Sequence, residues 1–204
     1  MKLVEAFPHT IGDLYGLFGR EAPRATVVSA RAVPQPQRSL LAHESHMTVT
    51  LEDHHGGPVE VVVLDRVLHD DHYARRILLC RAANVGRTFG GDGSAVVQFG
   101  IVLFNLRFAT DEARRDILGE SVPIGHILIR HRQLRRISTH SLLEIEPDDE
   151  MRRHFGIAES EEREARRVYG RLATIFCDER PAVELLEVLP PGPAAAAAAR
   201  VSAT

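Results

Sequence analysis

Hydrophobic residues alternate with polar ones, or gather in short apolar blocks, along most of the chain, and six segments read as strands. They are 25–33 (ATVVSARAV), 58–68 (PVEVVVLDRVL), 73–82 (YARRILLCRA), 94–106 (SAVVQFGIVLFNL), 168–177 (VYGRLATIFC) and 182–189 (AVELLEVL). Val, Ile and Leu dominate these blocks, and Gly, Asp, Asn or Pro punctuate the gaps. The connections are short: HHGGP precedes the second block, GRTFGGDG joins the third to the fourth, and DERP joins the last two. Short connections favour antiparallel pairing.

Helical signals are fewer. TIGDLYGLFGR (10–20) is weakly amphipathic, and TDEARRDILG (110–119) has Thr110 as a cap, acids in its first turn and Gly119 as a stop. VPIGHILIRHRQ (122–133) begins with Pro123 in its first turn. No strand–helix alternation of the parallel kind is present. The pattern predicts an α+β fold, with a single antiparallel sheet of five or six strands and helices packed on one side. From Pro190 the chain is low in complexity (PPGPAAAAAARVSAT), so the folded domain is expected over 1–189, with 190–204 as a flexible tail.

Composition narrows the function classes. The 204 residues are 44% hydrophobic and 26% charged, which suffices for a real core. A formal charge of -3 gives no chain-wide basic field, so neither nucleic acid nor a membrane surface is expected as a partner. No apolar run reaches the roughly 18 residues of a membrane span, the N-terminus lacks a signal-peptide pattern, and a cytoplasmic location is expected. Cys80 and Cys177 each end an apolar run and read as reduced core thiols.

Most of the polar motifs have plain readings. His43 and His46 in HESH, and His69 and His72 in HDDH, have a spacing two metal ligands can share, but no third ligand follows at a characteristic distance. They read as solvated loop histidines, and no metal or cofactor is expected. GRTFGGDG matches no phosphate-binding pattern and reads as a hairpin tip. RHRQLRR (130–136) and AESEEREARRVY (158–169) read as solvated faces.

The charges inside strands are more informative. Alternation puts Arg75 on one face with Tyr73, Ile77 and Leu79, and Arg76 on the other with Ala74, Leu78 and Cys80, so one of the two arginines faces inward. A guanidinium on an apolar face needs a fixed anion. That anion is either a ligand carboxylate or one of the strand acids Glu184 and Glu187, which lie three apart in RPAVELLEVLP and hence on opposite faces.

Several separated motifs resemble the chorismate lyase (chorismate pyruvate-lyase) family in order. ESHMTVTLE (44–52) resembles the E-x-x-M-T segment with a closing Glu, RRILLC (75–80) the R-x-I-L-L-C strand, and VPIGHIL (122–128) the P-L-G-x-x-L turn. VYGRLATIFCDERPAVELLEVLP (168–190) resembles the closing W-G-R hairpin. The resemblance implies that Arg75 grips a ring carboxylate, that the backbone N–H groups of Met47 and Ile124 assist it, and that Glu187 is the essential acid. Glu187 stands six residues after Pro181, as in the actinobacterial-type branch; the enterobacterial spacing would select Leu186. The enterobacterial type also has a second arginine in A-G-R-T, where this chain has QFGIV with Gly100. The implied reaction needs no cofactor: chorismate loses its enolpyruvyl group as pyruvate and aromatises to 4-hydroxybenzoate. An enclosed Glu187 would have a raised pKa and act as general acid. The same fold resembles the effector-binding domains of winged-helix transcription regulators, which bind small acids or sugars without chemistry. A small-molecule carboxylate is the expected partner on either reading, and oligomeric state is not legible.

Overall fold

The computed structural model describes residues 9–81, 96–131, 135–158 and 167–192. Seven strands form one sheet: β1 (Ala25–Val28), β2 (Val59–His69), β3 (His72–Arg81), β4 (Val96–Asn105), β5 (Arg135–Ile145), β6 (Val168–Cys177) and β7 (Arg180–Leu189). Their order is β1-β5-β6-β7-β4-β3-β2, with every neighbouring pair antiparallel. Asp70 turns the β2–β3 hairpin at φ 52°, and Asp178 and Glu179 turn β6–β7 at φ 50° and 59°. Two consecutive left-handed residues match the twist that a tight hairpin requires.

The helices are α1 (Ile11–Gly16), α2 (Gln37–Leu41), α3 (Met47–His55), α4 (Asp111–Leu118), α5 (Ile124–Arg130) and α6 (Asp149–Phe155). Thr110 caps α4 by accepting the N–H of Ala113, as its sequence predicts. Both faces of the sheet are covered. Leu40, Leu41, Met47, Leu51, Ile117 and Ile127 from α2 to α5 pack on one face, over Tyr73, Ile77, Val102 and Leu185. Leu14, Tyr15, Met151 and Phe155 from α1 and α6 pack on the other, over Leu78, Phe99, Ile101 and Leu186.

The α+β class and the single antiparallel sheet follow the sequence reading, and two details differ from it. The described residues form seven strands, because RRISTHSLLEI (135–145) pairs along its length with β6 in spite of its Ser, Thr and His. Helices lie on both faces rather than one, which is why β4 and β7 are apolar at almost every position instead of alternating. It also corrects the expectation of a single inward arginine: Arg75 and Arg76 point to opposite faces, and both are fully buried. The hairpin tip GRTFGGDG, most of the 158–169 run and the alanine-rich tail lie outside the described residues. Among those residues, no helix is long and apolar enough to cross a membrane.

Candidate functional site

The face under α2 to α5 carries the charged side chains that the sequence singled out. Arg75 lies in a lateral row with Val102, Leu185 and Ala173 across β3, β4, β7 and β6, and the next row is Ile77, Gly100, Glu187 and Arg171. Arg75 and Glu187 thus share a face, two strands apart and one side-chain step along, a Cα separation of about 12 Å. They do not pair with each other. Glu184 belongs to the opposite face, where its Oε2 meets His9 Nδ1 at 2.6 Å beside α1.

Among the described residues three arginines are fully buried, and one differs from the other two in its partners. Arg76 is ion-paired with Glu150 and lies 5.8 Å from the Phe99 ring centroid. Arg171 donates from Nε to Glu187 Oε2 at 2.6 Å, from Nη1 to the carbonyl of His43 at 2.7 Å, and from Nη2 to the carbonyl of Ser45 at 3.2 Å. Among the described residues, no carboxylate lies in direct contact with Arg75. Its Nη2 reaches the Val122 carbonyl at 3.3 Å, its guanidinium stands 5.4 Å from the Phe104 ring centroid, and its Nε and Nη1 have no hydrogen-bond partner. Burial lowers its pKa from the ordinary arginine value, with Tyr73 and Glu120 opposing.

Tyr73 and Glu120 form a latch beside Arg75. The Tyr73 hydroxyl donates to Glu120 Oε1 at 2.5 Å, and Arg66 Nη1 donates to Glu120 Oε2 at 2.7 Å. Burial and the adjacent carboxylate keep the Tyr73 hydroxyl protonated. Burial alone would raise Glu120, yet the bonds from Tyr73 and Arg66 hold it below the usual carboxylate range. Glu120 itself has φ 59° and stands two residues before Val122, so the latch and the carbonyl that Arg75 reaches belong to one segment.

Met47 and Ile124, the two residues implied to supply backbone donors, are the first residues of α3 and α5, and both are buried. The first N–H groups of a helix have no acceptor within it, and neither His46 nor Pro123 supplies a side-chain cap. The two helix starts abut. A Cβ on Gly125 would stand 2.8 Å from Thr48 Oγ1, so only glycine permits this approach. Glu52 anchors the other end of α3: Oε1 accepts the Val59 N–H at 3.1 Å and Oε2 meets His126 Nε2 at 3.0 Å.

The structure changes the reading of two residues. Glu187 is enclosed, as expected, but its Oε2 is held by Arg171 rather than free. His43 is not a solvated loop residue: its Nδ1 accepts the Ser45 N–H at 3.0 Å and lies 3.3 Å from Arg171 Nη1. Burial and then Arg171 push its pKa down, so the ring is neutral. Arg171 was legible in principle, since in GRLATIF it alternates with Ala173 and Ile175 on an apolar face, the same parity that exposes Arg75. Among the described residues, no group of three or more His, Cys, Asp or Glu is arranged to hold a metal ion.

No family model matches the chain, and no curated protein matches it in sequence. Two solved structures are similar over part of their length. The C-terminal domain of Yurk from Bacillus subtilis subsp. subtilis str. 168 gives a TM-score of 0.37 at 12% identity, covering 57% of this chain and 72% of that one. The C-terminal domain of the histidine utilization repressor from Pseudomonas syringae pv. tomato str. DC3000 gives 0.40 at 9%, covering 65% and 91%. What the present site binds has to be read from its own atoms.

Proposed function

We propose that this protein binds a small cyclic or aromatic carboxylic acid, with Arg75 taking the carboxylate and the helix starts at Met47 and Ile124 assisting. The observation that carries this reading is the imbalance among the buried arginines. Two have carboxylates in direct contact, and Arg75 has buried N–H donors left over, with Glu120 only nearby. A buried cation without a directly paired anion is costly, and a ligand carboxylate would offset that cost while displacing only the long contact to Val122. The domain that does this is the stretch 1–189, with 190–204 as an appendage.

A second reading is elimination of pyruvate from chorismate, as the resemblance to chorismate lyases implies. It is favoured by one observation, the placement of Glu187 on the same face as Arg75 at a distance a substrate ring could bridge. Against it, the Arg171 ion pair engages the carboxyl that has to deliver the proton. Binding without chemistry therefore fits the geometry better.

Calorimetric titration with 4-hydroxybenzoate, paired with Arg75→Met, tests the binding reading. The wild type should bind and Arg75→Met should not. The variant should nevertheless be at least as thermally stable, because a well-packed apolar side chain replaces an unpaired buried charge. Equal affinity in the two proteins overturns the proposal. Incubation with chorismate separates the second reading: pyruvate release that falls by about two to four orders of magnitude in Glu187→Gln establishes the lyase.

A further inference from the structure

Arg75 is fully enclosed, and the turn 119–123 between α4 and α5 lies over it. Val122 in that turn supplies the carbonyl that Arg75 Nη2 reaches at 3.3 Å. Glu120 in the same turn fastens it to the sheet: Oε1 accepts from the Tyr73 hydroxyl at 2.5 Å and Oε2 from Arg66 Nη1 at 2.7 Å. Both anchors flank Arg75. Arg66 is its register partner on β2 and Tyr73 stands two residues before it on β3, so all three side chains belong to one sheet face.

The fastening is local and uneven. The Tyr73 bond is part-buried, whereas the Arg66 side chain is 67% exposed and its pair with Glu120 is open to screening by salt. Glu120 holds φ 59°, a left-handed conformation that a residue with a Cβ keeps only where its surroundings enforce it. Ser121 beside it is exposed, so the outer side of the turn faces solvent. We infer that the turn 119–123 is a gate over Arg75, latched shut by Glu120 on Tyr73 and Arg66. Its functional meaning rests on Arg75 taking a ligand carboxylate, but its mechanics do not. With the latch closed, the Val122 carbonyl occupies Nη2 in place of an anion, and Nε and Nη1 go without a partner. With it open, the guanidinium meets solvent and whatever anion solvent carries. The exposed half of the latch makes opening sensitive to ionic strength, and the part-buried half sets how rarely it happens.

Phenylglyoxal, which condenses with accessible guanidinium groups, tests the gate on the intact chain without any ligand, the label being read residue by residue by mass spectrometry. Arg75 should label slowly in the wild type and about tenfold faster in Glu120→Gln and Tyr73→Phe, the effect of weakening or losing one charge-assisted hydrogen bond. Arg66→Ala should speed it by about two- to fivefold, as for an exposed ion pair. Added salt should bring the wild type up to the Arg66→Ala rate and leave that variant unchanged. Arg76 and Arg171, equally buried, are internal controls and should label at the wild-type rate throughout. If Tyr73→Phe does not fold, Glu120→Gln decides alone, since its side chain lies at the edge of the core. Labelling of Arg75 that is unchanged in Glu120→Gln overturns the inference, and so does labelling of all three arginines that rises together, because Arg75 is then reached by general unfolding. Benzoate separates the gate from the carboxylate reading. Faster labelling in the variants with protection of Arg75 by benzoate supports both, and faster labelling with no protection leaves the gate standing while the carboxylate reading falls.

Discussion

Arg171 and Glu187 stand directly opposite each other on β6 and β7, and the guanidinium that holds the carboxylate also holds the chain at Leu41, His43 and Ser45. The ion pair is therefore a clamp. It ties the centre of the sheet to the segment that leads into α3, and so fixes where the start of α3 sits over the Arg75 face.

Breaking that clamp from one side leaves a buried charge without its partner. Arg171→Ala should lower the free energy of unfolding by about 3–5 kcal/mol, measured by urea denaturation. Glu187→Ala should fall in the same range. The double variant should be less damaged than the sum of the two, with a coupling energy of about 0.5–3 kcal/mol for groups in direct contact. Strict additivity would show that the two side chains act independently and would remove the clamp.

The parts of the fold that the sequence made legible are those where local pattern and tertiary environment agree. α4 has its cap, its acids and its stop, and β7 carries two carboxylates three apart, which parity alone sends to opposite faces. The parts that were not legible depend on what covers the sheet. Arg75 and Arg76 are consecutive, so a half-exposed strand would bury one of them; only a strand covered on both sides buries both. His43 lies in a polar loop sequence, and its place beside Arg171, 128 residues away, is a tertiary contact that no local pattern shows.

Acid should destabilise the protein in a window set by the histidines whose pKa is lowered on folding. Burial is the leading cause that lowers the pKa of His43, His55, His72 and His154 in the folded state. Unfolded histidine titrates near about 6.5, so below that pH the unfolded chain binds protons that the folded chain refuses. The stability is fully present above the unfolded value and is lost as pH falls through it towards the folded ones. Urea midpoints measured from pH 7.5 to pH 5 should fall steadily, and His43→Gln should make that slope shallower even if it lowers the midpoint at pH 7.5. A His43→Gln slope equal to that of the wild type contradicts the assignment of His43 as a half-buried neutral ring.

The contact between the starts of α3 and α5 gives the sharpest test of how the carboxylate end of the site is built. Replacing glycine by alanine inside a helix ordinarily stabilises by up to about 1 kcal/mol, because alanine is the better helix former. At Gly125 the sign should reverse. The new Cβ would lie 2.8 Å from Thr48 Oγ1 and 3.0 Å from Thr48 Cβ, closer than such atoms can come, so α5 has to move away from α3. Overpacking of this kind costs about 1–3 kcal/mol. It also separates the backbone N–H groups of Met47 and Ile124, which together with Arg75 form the proposed carboxylate grip, so affinity for 4-hydroxybenzoate should fall alongside the melting temperature. Adding Thr48→Ala removes the nearer of the two clashing atoms. The double variant should regain part of both quantities, whereas Thr48→Ala alone should have little effect on affinity. A Gly125→Ala protein that is more stable than the wild type and binds as well would show that α3 and α5 are not held at this separation.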